Sequence, residues 1–441
     1  MVMAVAILFG IENGVGLART QPEQVSLATD VYYHAARAAL KGGDFYAVTP
    51  PGLDGYHFLY PPVVMLPLLL YGLLGDPTLA YAVQTALNLL TGAALALVMV
   101  RTVERAGVEL TRLDRGLIAG FTFLSAASAV TLVLGQVNLQ LALAFALGAV
   151  WIERDREIAA GAVLAAAATV KLYPALVGAW LVRRRAWRTV AAATATGLGL
   201  LALGLVAFGP GPTEVFFTET LPGEMSVGTF ADGPDPGAPF MTVRRQLAVV
   251  APWIPGAAMF PAAMLVMTPV VLASYRTFEH AVSRLVGLHV TILAILSVIP
   301  LEPFYLSLAL FPMVPLLYLL DAGPVDPGCA RPLYLAGALV AAIPVTLAGI
   351  EATLSVLPVP GAVSGAILAA APPVLSFALP PTFGVWAMLG ACALYQHRAV
   401  AAESADPAGD PDDVSTDPAA DASPERASPD EASAEGTDPD D

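Results

Sequence analysis

Long apolar segments recur along almost the whole chain, and they constrain its fold more than any other feature. Segments such as 79–100, 158–182 and 189–208 each contain about 20 or more residues with few or no charges. A helix of about 20 apolar residues crosses the roughly 30 Å hydrocarbon core of a bilayer, and it bonds its own backbone polar groups there. The sequence therefore predicts an all-α polytopic integral membrane protein with about 10–13 transmembrane helices.

The composition agrees with a membrane protein and excludes several classes of function. Hydrophobic residues make up 57% of the 441 residues and charged residues only 13%, against about 45–50% and 25% in soluble domains. The two cysteines, Cys329 and Cys392, have neither a disulfide framework nor metal-ligand spacing. No P-loop, GxGxxG or HExxH pattern stands in a supporting context. We therefore expect no cofactor, no divalent metal and no nucleic-acid partner.

The net charge of −15 is concentrated at the C-terminal end of the chain. From residue 399 onward, fourteen Asp and Glu stand against one Arg and carry −13 of the total. Such a polar segment cannot bury enough apolar surface to order itself. The predicted domains are a transmembrane domain over 1–398 and an acidic disordered tail over 399–441. The acidic tail, together with only two lysines in the chain, is typical of a halophilic host.

The distribution of arginine predicts which loops face the cytoplasm. The block RRRAWR at 183–188 follows a long apolar segment, and the positive-inside rule places it in the cytoplasm. The span at 189–208 then delivers an outer loop at 209–255, and RTFEHAVSR at 276–284 returns to the cytoplasm. LEPFY at 301–305 consequently faces outside.

The first half of the chain does not satisfy the same rule if every apolar segment crosses once. RTVERAGVELTRLDR at 101–115 also has cytoplasmic character. The segment 158–182 contains Lys171 and Pro174, a charge and a helix-breaking residue within apolar sequence. We therefore predict that this segment turns back instead of crossing.

An amphipathic helix is predicted in the first outer loop, which covers about 19–60. In LATDVYYHAARAALKGGDFY, a Gly-Gly pair ends the helix and polar residues recur three or four positions apart: Asp30, His34, Arg37 and Lys41. Such a helix can lie in the membrane interface. Two interpretations of Asp30 stay open, because it can cap the helix together with Thr29 or carry chemistry where lipid meets water.

Three further polar groups interrupt the apolar sequence. Tyr60-Pro61-Pro62 introduces an apolar segment, and a helix start would explain the prolines. Gln136 and Asn138 in LVLGQVNLQLAL lie between two apolar segments, where the polarity of a helix turn is one explanation. Lys171 can extend to an interface or bind an anion.

Taken in order, these pieces resemble glycosyltransferase family 87. The resemblance rests on DVYY, GGDFY, YPP, GQVN and KLYP followed by an arginine-rich turn, and it covers residues 25 to about 190. It implies a GT-C type membrane fold with a pocket on the outer face, which takes a sugar donor linked to polyprenyl phosphate. The family includes mannosyltransferases. Members often have a Trp and a His near the position of IPLEPFY, and this chain has neither.

The resemblance also implies roles for particular residues. The catalytic carboxylate of this class lies in the first outer loop, and the matching position is Asp30, which would take the proton of the acceptor hydroxyl in an inverting transfer. The leaving polyprenyl phosphate needs positive charge, for which Lys171, Arg244 and Arg245 are the candidates. Nine further residues complete the predicted pocket: Tyr33, His34, Asp44, His57, Tyr60, Gln136, Asn138, Glu302 and Tyr305.

We therefore predict a multi-pass glycosyltransferase of the cell membrane with its active site on the extracytoplasmic face. It would move a hexose, with mannose as the first candidate, from a polyprenyl or dolichyl-type phosphate to a glycan, lipid or glycoprotein acceptor. Membrane lipid is its other expected partner. The rival interpretation is a multi-pass transporter or lipid flippase, which predicts paired charges near the middle of several spans. The charges of this chain instead cluster at the ends of spans and in loops.

Overall fold

The computed structural model describes residues 1–226, 230, 233–356 and 358–405. Twenty α-helices and short 3₁₀ or π turns form the regular structure of this part of the chain, in which no β-strand occurs. In chain order the helices are α1 (Val2–Thr20), α2 (Leu27–Leu40), α3 (Met65–Leu73), α4 (Pro77–Arg105), α5 (Arg112–Leu124), α6 (Ala126–Leu134), α7 (Asn138–Ile152), α8 (Glu157–Val170), α9 (Gly178–Arg183), α10 (Trp187–Phe208), α11 (Pro210–Val215), α12 (Leu221–Ser226), α13 (Val243–Val250), α14 (Gly256–Ser274), α15 (Ala281–Val298), α16 (Leu310–Ala322), α17 (Ala330–Ala341), α18 (Leu347–Val356), α19 (Gly361–Phe377) and α20 (Pro380–Ala405).

Six helices of the described residues are long and apolar enough to cross a membrane: α1, α4, α10, α14, α15 and the continuous helix Pro303–Ala322, which contains α16. Two bent pairs, α5 with α6 and α19 with α20, raise the number to eight if each pair is one span. These helices confirm an all-α polytopic membrane protein. The predicted number of crossings stays a prediction, because it is reached only if the shorter apolar helices α3, α7, α8 and α17 also cross.

Arginine-rich loops gather at one end of the helix bundle. Glu153 forms ion pairs with Arg184 at 2.6 Å and with Arg284 at 2.8 Å. The Arg183 guanidinium donates to the backbone carbonyl of Tyr275 at 2.7 Å. The blocks at 183–188 and 276–284, both predicted to be cytoplasmic, are therefore neighbours. We call this end, defined by Glu153, Arg184 and Arg284, the basic end.

The last described helix also reaches the basic end. The Gln396 amide donates to the carbonyl of Ser283 at 2.8 Å, and the Thr277 hydroxyl donates to Glu403 at 2.6 Å. The helix α20 continues to Ala405, so it includes the first residues that the sequence assigned to the acidic tail beyond residue 398. The rest of that predicted tail lies outside the described residues.

The first outer loop lies at the opposite end of the bundle. The backbone N–H of Ser26 donates to the carbonyl of Val133 at 2.9 Å. Leu27 packs with Leu134 and Phe304 in a small apolar cluster. The helix α15 joins the two ends, since it begins near the basic end and finishes six residues before Phe304. We call this end, defined by Ser26, Val133 and Phe304, the far end.

The chain between α8 and α9 turns inside the bundle. The helix α8 leaves the basic end and runs for 14 residues, or about 21 Å at 1.5 Å per residue. Lys171 then takes an extended backbone conformation (φ −132°, ψ 121°), and Pro174 lies in the first turn of a short 3₁₀ helix. The helix α9 returns to the basic end. The segment enters and leaves at the same end, as the sequence predicted, and this leaves Lys171 deep in the bundle.

The amphipathic helix of the first outer loop is α2, and other helices cover its apolar face. The helix α3 approaches this face so closely that a Cβ added to Gly72 would lie 3.0 Å from the carbonyl carbon of Ala36. Protein contacts therefore cover this face of α2, and its location in the membrane interface stays a prediction. The buried residues of α2 are Leu27, Ala28, Thr29, Val31, Tyr32, Tyr33, Ala35 and Ala36.

Candidate active site

Asp30 lies on the more accessible side of α2, and its carboxylate is held in one orientation. Ser26 occupies the cap position of the helix with a left-handed backbone (φ 66°), and its hydroxyl donates to Oδ2 of Asp30 at 2.8 Å. Thr29 and Asp30 therefore do not cap α2. Burial raises the pKa of Asp30 above its ordinary value, although the Ser26 hydrogen bond and the nearby His34 act in the opposite direction. A carboxyl group with a raised pKa is the stronger base once it is ionised.

The GQVN turn binds the start of α2 through its glycine. The Thr29 hydroxyl donates to the carbonyl of Gly135 at 3.2 Å. Gly135 has a left-handed backbone (φ 68°), and a Cβ added there would lie 2.0 Å from the Thr29 hydroxyl oxygen. Only glycine adopts this conformation without strain and leaves room for Thr29. The position of Asp30 thus depends on a turn more than 100 residues later in the chain.

A network of tyrosine hydroxyls joins the first outer loop to the YPP and GQVN segments. The Tyr32 and Tyr60 hydroxyls are 2.9 Å apart, and the Tyr32 hydroxyl also donates to the side-chain carbonyl of Gln136 at 3.3 Å. The Tyr46 hydroxyl donates to the backbone carbonyl of Tyr60 at 2.7 Å, and the Tyr46 N–H donates to Asp44 at 2.8 Å. Tyr60, which precedes the two prolines of the YPP segment, is thus part of one polar cluster.

Two amides of α4 fix the backbone of the GQVN turn. The carbonyl of Gln136 accepts hydrogen bonds from Gln84 at 3.3 Å and from Asn88 at 3.1 Å. The Tyr71 hydroxyl donates to the side-chain carbonyl of Gln84 at 2.5 Å. Because Gln84 and Asn88 are fully or almost fully buried, these bonds are made away from water and orient the turn firmly.

Lys171 provides a buried positive charge beside this turn. Its ammonium donates to Oδ1 of Asn138 at 2.9 Å and lies 4.1 Å from the ring centroid of Tyr305. The Lys171 side chain is 6% exposed. Two polar groups nearby, the Asn138 amide nitrogen and the Tyr173 hydroxyl, have no hydrogen-bond partner among the described residues. One ammonium and two unpaired donors form a pocket that suits an anion.

A short apolar bridge connects the acidic and basic parts of the site. Leu27 lies one helical turn before Asp30 on the same face of α2, and it packs with Phe304. The ring of Phe304 stacks on that of Tyr305 with centroids 4.5 Å apart. Lys171 lies against the Tyr305 ring, so Asp30 and Lys171 occupy adjoining parts of the far end.

Two further carboxyl groups lie at the edge of this site: the charge of Lys171 acts on Glu224, and the backbone carbonyl of Glu302 accepts from the N–H of Tyr305. Burial raises the pKa of Glu224 in α12, and the charges of His57 and Lys171 lower it to a lesser extent. Burial raises the pKa of Glu302 to about 7. In the part of the chain that the structure describes, no group of three or more His, Cys, Asp or Glu residues is arranged to hold a metal ion.

The other predicted pocket residues of the first outer loop lie outside the polar cluster or at its edge. Tyr33 is buried and packs edge-on against His34, with centroids 5.1 Å apart. His57 is exposed, with Nδ1 3.3 Å from the carbonyl of Gly55. Asp44 is exposed as well. The structure therefore brings together Tyr60, Gln136, Asn138, Lys171 and Tyr305 more closely than the remaining predicted residues.

Arg244 and Arg245, predicted to bind phosphate, are buried in α13 and bind backbone carbonyls. Arg244 donates to the carbonyl of Val298 at 3.1 Å. The Arg245 guanidinium donates to the carbonyls of Ala238 and Leu375. These bonds connect α13 to the end of α15 and to α19. A phosphate would have to compete with them, so binding of the donor by these two arginines stays a prediction.

The predicted pocket omits six polar residues of the site: Tyr32, Tyr46, Tyr71, Gln84, Asn88 and Tyr173. Tyr33 was chosen from the Tyr-Tyr pair, but Tyr32 makes the hydrogen bonds, because the two residues point to different faces of α2. Gln84 and Asn88 stand one turn apart in the otherwise apolar α4, and that spacing was a usable signal. Tyr71 and Tyr173 had no comparable signal in the sequence.

One comparison with known proteins finds a match. The model of glycosyltransferase family 87 matches residues 58–300, which is more than half of the chain. The matched region includes Tyr60, Gln136, Asn138 and Lys171, and it begins after Asp30. No curated protein matches the chain. The resemblance that the sequence motifs indicated is therefore confirmed.

Proposed function

The chain belongs to glycosyltransferase family 87, and from this premise we propose that it transfers a hexose, with mannose as our candidate, from polyprenyl phosphate to an acceptor. Family membership and the membrane-length helices make it a membrane glycosyltransferase. One observation carries the finer proposal. Hydrogen bonds join Tyr32, Tyr60 and Gln136 in one cluster, and Lys171 bonds to Asn138 beside it.

In this proposal the donor phosphate binds at Lys171. The phosphate would accept hydrogen bonds from the Lys171 ammonium, the Asn138 amide nitrogen and the Tyr173 hydroxyl, the last two of which have no partner among the described residues. A buried cation and neutral donors stabilise a phosphate that gains negative charge as the sugar leaves. The polyprenyl chain would extend between helices into the bilayer.

Asp30 would act as the general base. The acceptor hydroxyl attacks the anomeric carbon from the side opposite the phosphate, and its proton passes to the Asp30 carboxylate. The new bond joins the acceptor oxygen to the anomeric carbon, while the bond from that carbon to the phosphate oxygen breaks. Polyprenyl phosphate leaves with the bonding electrons, and the configuration is inverted. No metal or cofactor is required in this scheme.

The proposed acceptor is a glycan, lipid or glycoprotein on the extracytoplasmic side of the cell membrane. The basic end carries the arginine-rich loops, including Arg184 and Arg284, and the positive-inside rule places such loops in the cytoplasm. The far end, with Asp30, would then face outward. The half-exposed Asp30 is reachable there by an acceptor from water.

The rival function, transport or lipid flipping, has less support. It requires paired charges near the middle of several spans. The ion pairs of the described residues join groups outside the middle of the spans, as in Glu104–Arg115, Asp321–Arg331 and Glu153 with Arg184. A buried ammonium beside unpaired donors serves phosphate binding without such pairs.

The direct test is transfer of labelled sugar by the purified protein in liposomes. Polyprenyl-phosphate mannose and polyprenyl-phosphate glucose are offered separately, with a nucleotide-linked mannose as a third donor. We expect labelled product from a polyprenyl-phosphate donor and none from the nucleotide sugar. Use of the nucleotide sugar alone would contradict the proposed donor. Movement of the donor across the bilayer without sugar transfer would favour the rival function.

A further inference from the structure

A groove at the basic end lies far from the candidate active site. It has a volume of about 580 Å³ and opens to the surroundings between the end of α14 and the middle of α20. Its lining residues are Ala273, Arg276, Gly390, Ala393, Leu394 and His397. The proposed glycosyl transfer uses none of them.

The spacing of the lining residues makes the groove one continuous surface. The four residues from α20 stand at positions i, i+3, i+4 and i+7, so they form a single stripe on that helix. On the other side, Ala273 and Arg276 are three residues apart at the end of α14. Glycine and alanine at three of the six positions keep the groove open. Its walls are apolar, and its two polar side chains are the Arg276 guanidinium and the His397 imidazole.

The guanidinium and the imidazole of the groove are both exposed. Arg276 and His397 form no side-chain hydrogen bond or ion pair with another described residue. Other arginines of the same end are engaged, since Arg284 pairs with Glu153 at 2.8 Å and Arg398 with Asp326 at 3.7 Å. Arg276 and His397 are therefore available to an external anion.

The groove lies where lipid head groups are expected. The apolar helix α14 ends at Ser274, two residues before Arg276, so the guanidinium stands at the boundary between hydrocarbon and water. The arginine-rich loops indicate that this boundary belongs to the cytoplasmic leaflet, which carries anionic lipids. Guanidinium groups bind phosphate through two parallel hydrogen bonds.

We propose that this groove binds one anionic phospholipid. The lipid phosphate lies between Arg276 and His397, and an acyl chain runs along the apolar wall of Ala273, Ala393 and Leu394. The chemistry of the groove favours this occupant over a second copy of the chain, since its lining offers a guanidinium, an imidazole and no carboxylate. The lipid would contact α14 and α20 at once, and so it would hold the two helices together at the basic end.

The test uses the full-length protein in nanodiscs that contain equal parts of phosphatidylcholine and phosphatidylglycerol. Native mass spectrometry then counts the lipid of each kind that stays bound after release. We expect one retained phosphatidylglycerol on the wild type. The double variant Arg276→Gln/His397→Gln should retain it at least about fivefold more weakly, since each basic residue near an anionic surface contributes about 1 kcal/mol.

Two further variants separate binding in the groove from general charge effects. Ala393→Phe fills the groove and leaves Arg276 and His397 in place, and it should also lose the retained lipid. Arg112→Gln removes an exposed arginine elsewhere in the chain and should retain the lipid like the wild type. Each variant is first checked for monodisperse elution and for a thermal midpoint near that of the wild type.

Three results would overturn the proposal. Equal retention by all four proteins would show that the groove does not bind the lipid. Equal retention of phosphatidylcholine and phosphatidylglycerol by the wild type would show that Arg276 and His397 do not select an anionic head group. A dimer that dissociates in Ala393→Phe would show that a second copy fills the groove. The measurement involves no sugar donor, so its outcome is independent of the proposed transfer reaction.

Discussion

The Lys171 ammonium donates to Oδ1 of Asn138 at 2.9 Å, and this bond joins the re-entrant turn to the GQVN turn. It orients the Asn138 amide so that its nitrogen has no partner among the described residues. The pair therefore offers a charge and a free donor to the same pocket.

Replacement of Lys171 should impair use of the donor. Lys171→Met keeps most of the side-chain volume and removes the charge that we assign to the phosphate, so we expect a higher KM for the polyprenyl-phosphate sugar and a lower transfer rate. Lys171→Arg should keep part of the activity because it keeps a positive charge. The measurement is donor-dependent transfer by protein reconstituted in liposomes.

Lys41→Met is the matched control, since Lys41 is the other lysine of the chain and is exposed at the end of α2. It should leave the kinetics for the donor unchanged. If Lys171→Met also had normal kinetics, Lys171 would be a structural residue that only bonds to Asn138.

Asp30→Asn should nearly abolish transfer while the protein stays folded. The Asn side chain keeps an oxygen that can accept the Ser26 hydroxyl, but its amide cannot take a proton, and loss of a general base typically costs about 10² to 10⁴ in rate. We expect normal accumulation in the membrane, normal donor binding and a thermal midpoint close to that of the wild type. Glu23→Gln, at an exposed position shortly before α2, is the control. Near-normal turnover of Asp30→Asn would show that Asp30 is not the base, and Asp44 and Asp54 would become the next candidates.

The pH dependence of transfer should report the environment of Asp30. Its pKa is raised by burial, and a base acts only when it is deprotonated. The rate should therefore rise with pH, with a midpoint above the ordinary aspartate value of about 3.9. Ser26→Ala removes a hydrogen bond that favours the charged form, so the midpoint should move to higher pH. Thr20→Ala, which removes an exposed hydroxyl before α2, should not move it. An unchanged midpoint in Ser26→Ala would mean that another group sets the profile.

Gly135→Ala should destabilise the protein more than Gly42→Ala does. Both glycines have a left-handed backbone (φ 68° and 70°), but an added Cβ meets the Thr29 hydroxyl at 2.0 Å only at Gly135 and finds open space at Gly42. The backbone strain of about 1–2 kcal/mol is common to both variants, and overpacking adds about 1–3 kcal/mol at Gly135. Thermal midpoints in detergent measure the difference.

The double variant Thr29→Ala/Gly135→Ala tests the cause. Removal of the Thr29 hydroxyl should restore part of the lost stability, because the two positions are in contact and their effects do not add. Equal thermal midpoints for Gly135→Ala and Gly42→Ala would show that the turn and α2 are less tightly packed than the structure indicates.

Thiol labelling should establish which side of the membrane holds Asp30. Cys329 and Cys392 are first replaced by Ser and Ala, and single cysteines are then placed at Ser26 or Gly233 at the far end, or at Arg185 at the basic end. An impermeant reagent should label the far-end positions in intact cells and Arg185→Cys only after lysis. The reverse pattern would invert the proposed orientation.

The sequence alone was sufficient for the features that depend on local composition. Long apolar segments required membrane helices, because an unbonded backbone is too costly in hydrocarbon. Lys171 and Pro174 indicated the re-entrant turn, since neither residue continues an apolar helix without cost. The arginine blocks near Arg184 and Arg284 predicted that both loops lie on the same side of the membrane. The ordered motifs indicated the family before the match to residues 58–300 confirmed it.

Only the tertiary structure decided which side chains meet. Tyr32 rather than Tyr33 reaches Tyr60, and Gln84 and Asn88 bind the carbonyl of Gln136. Arg245 binds the backbone carbonyls of Ala238 and Leu375, a contact that no local sequence pattern indicated. The physical reason is that helical periodicity determines which residues share a face of one helix. The group that this face meets depends on how helices far apart in the sequence pack together.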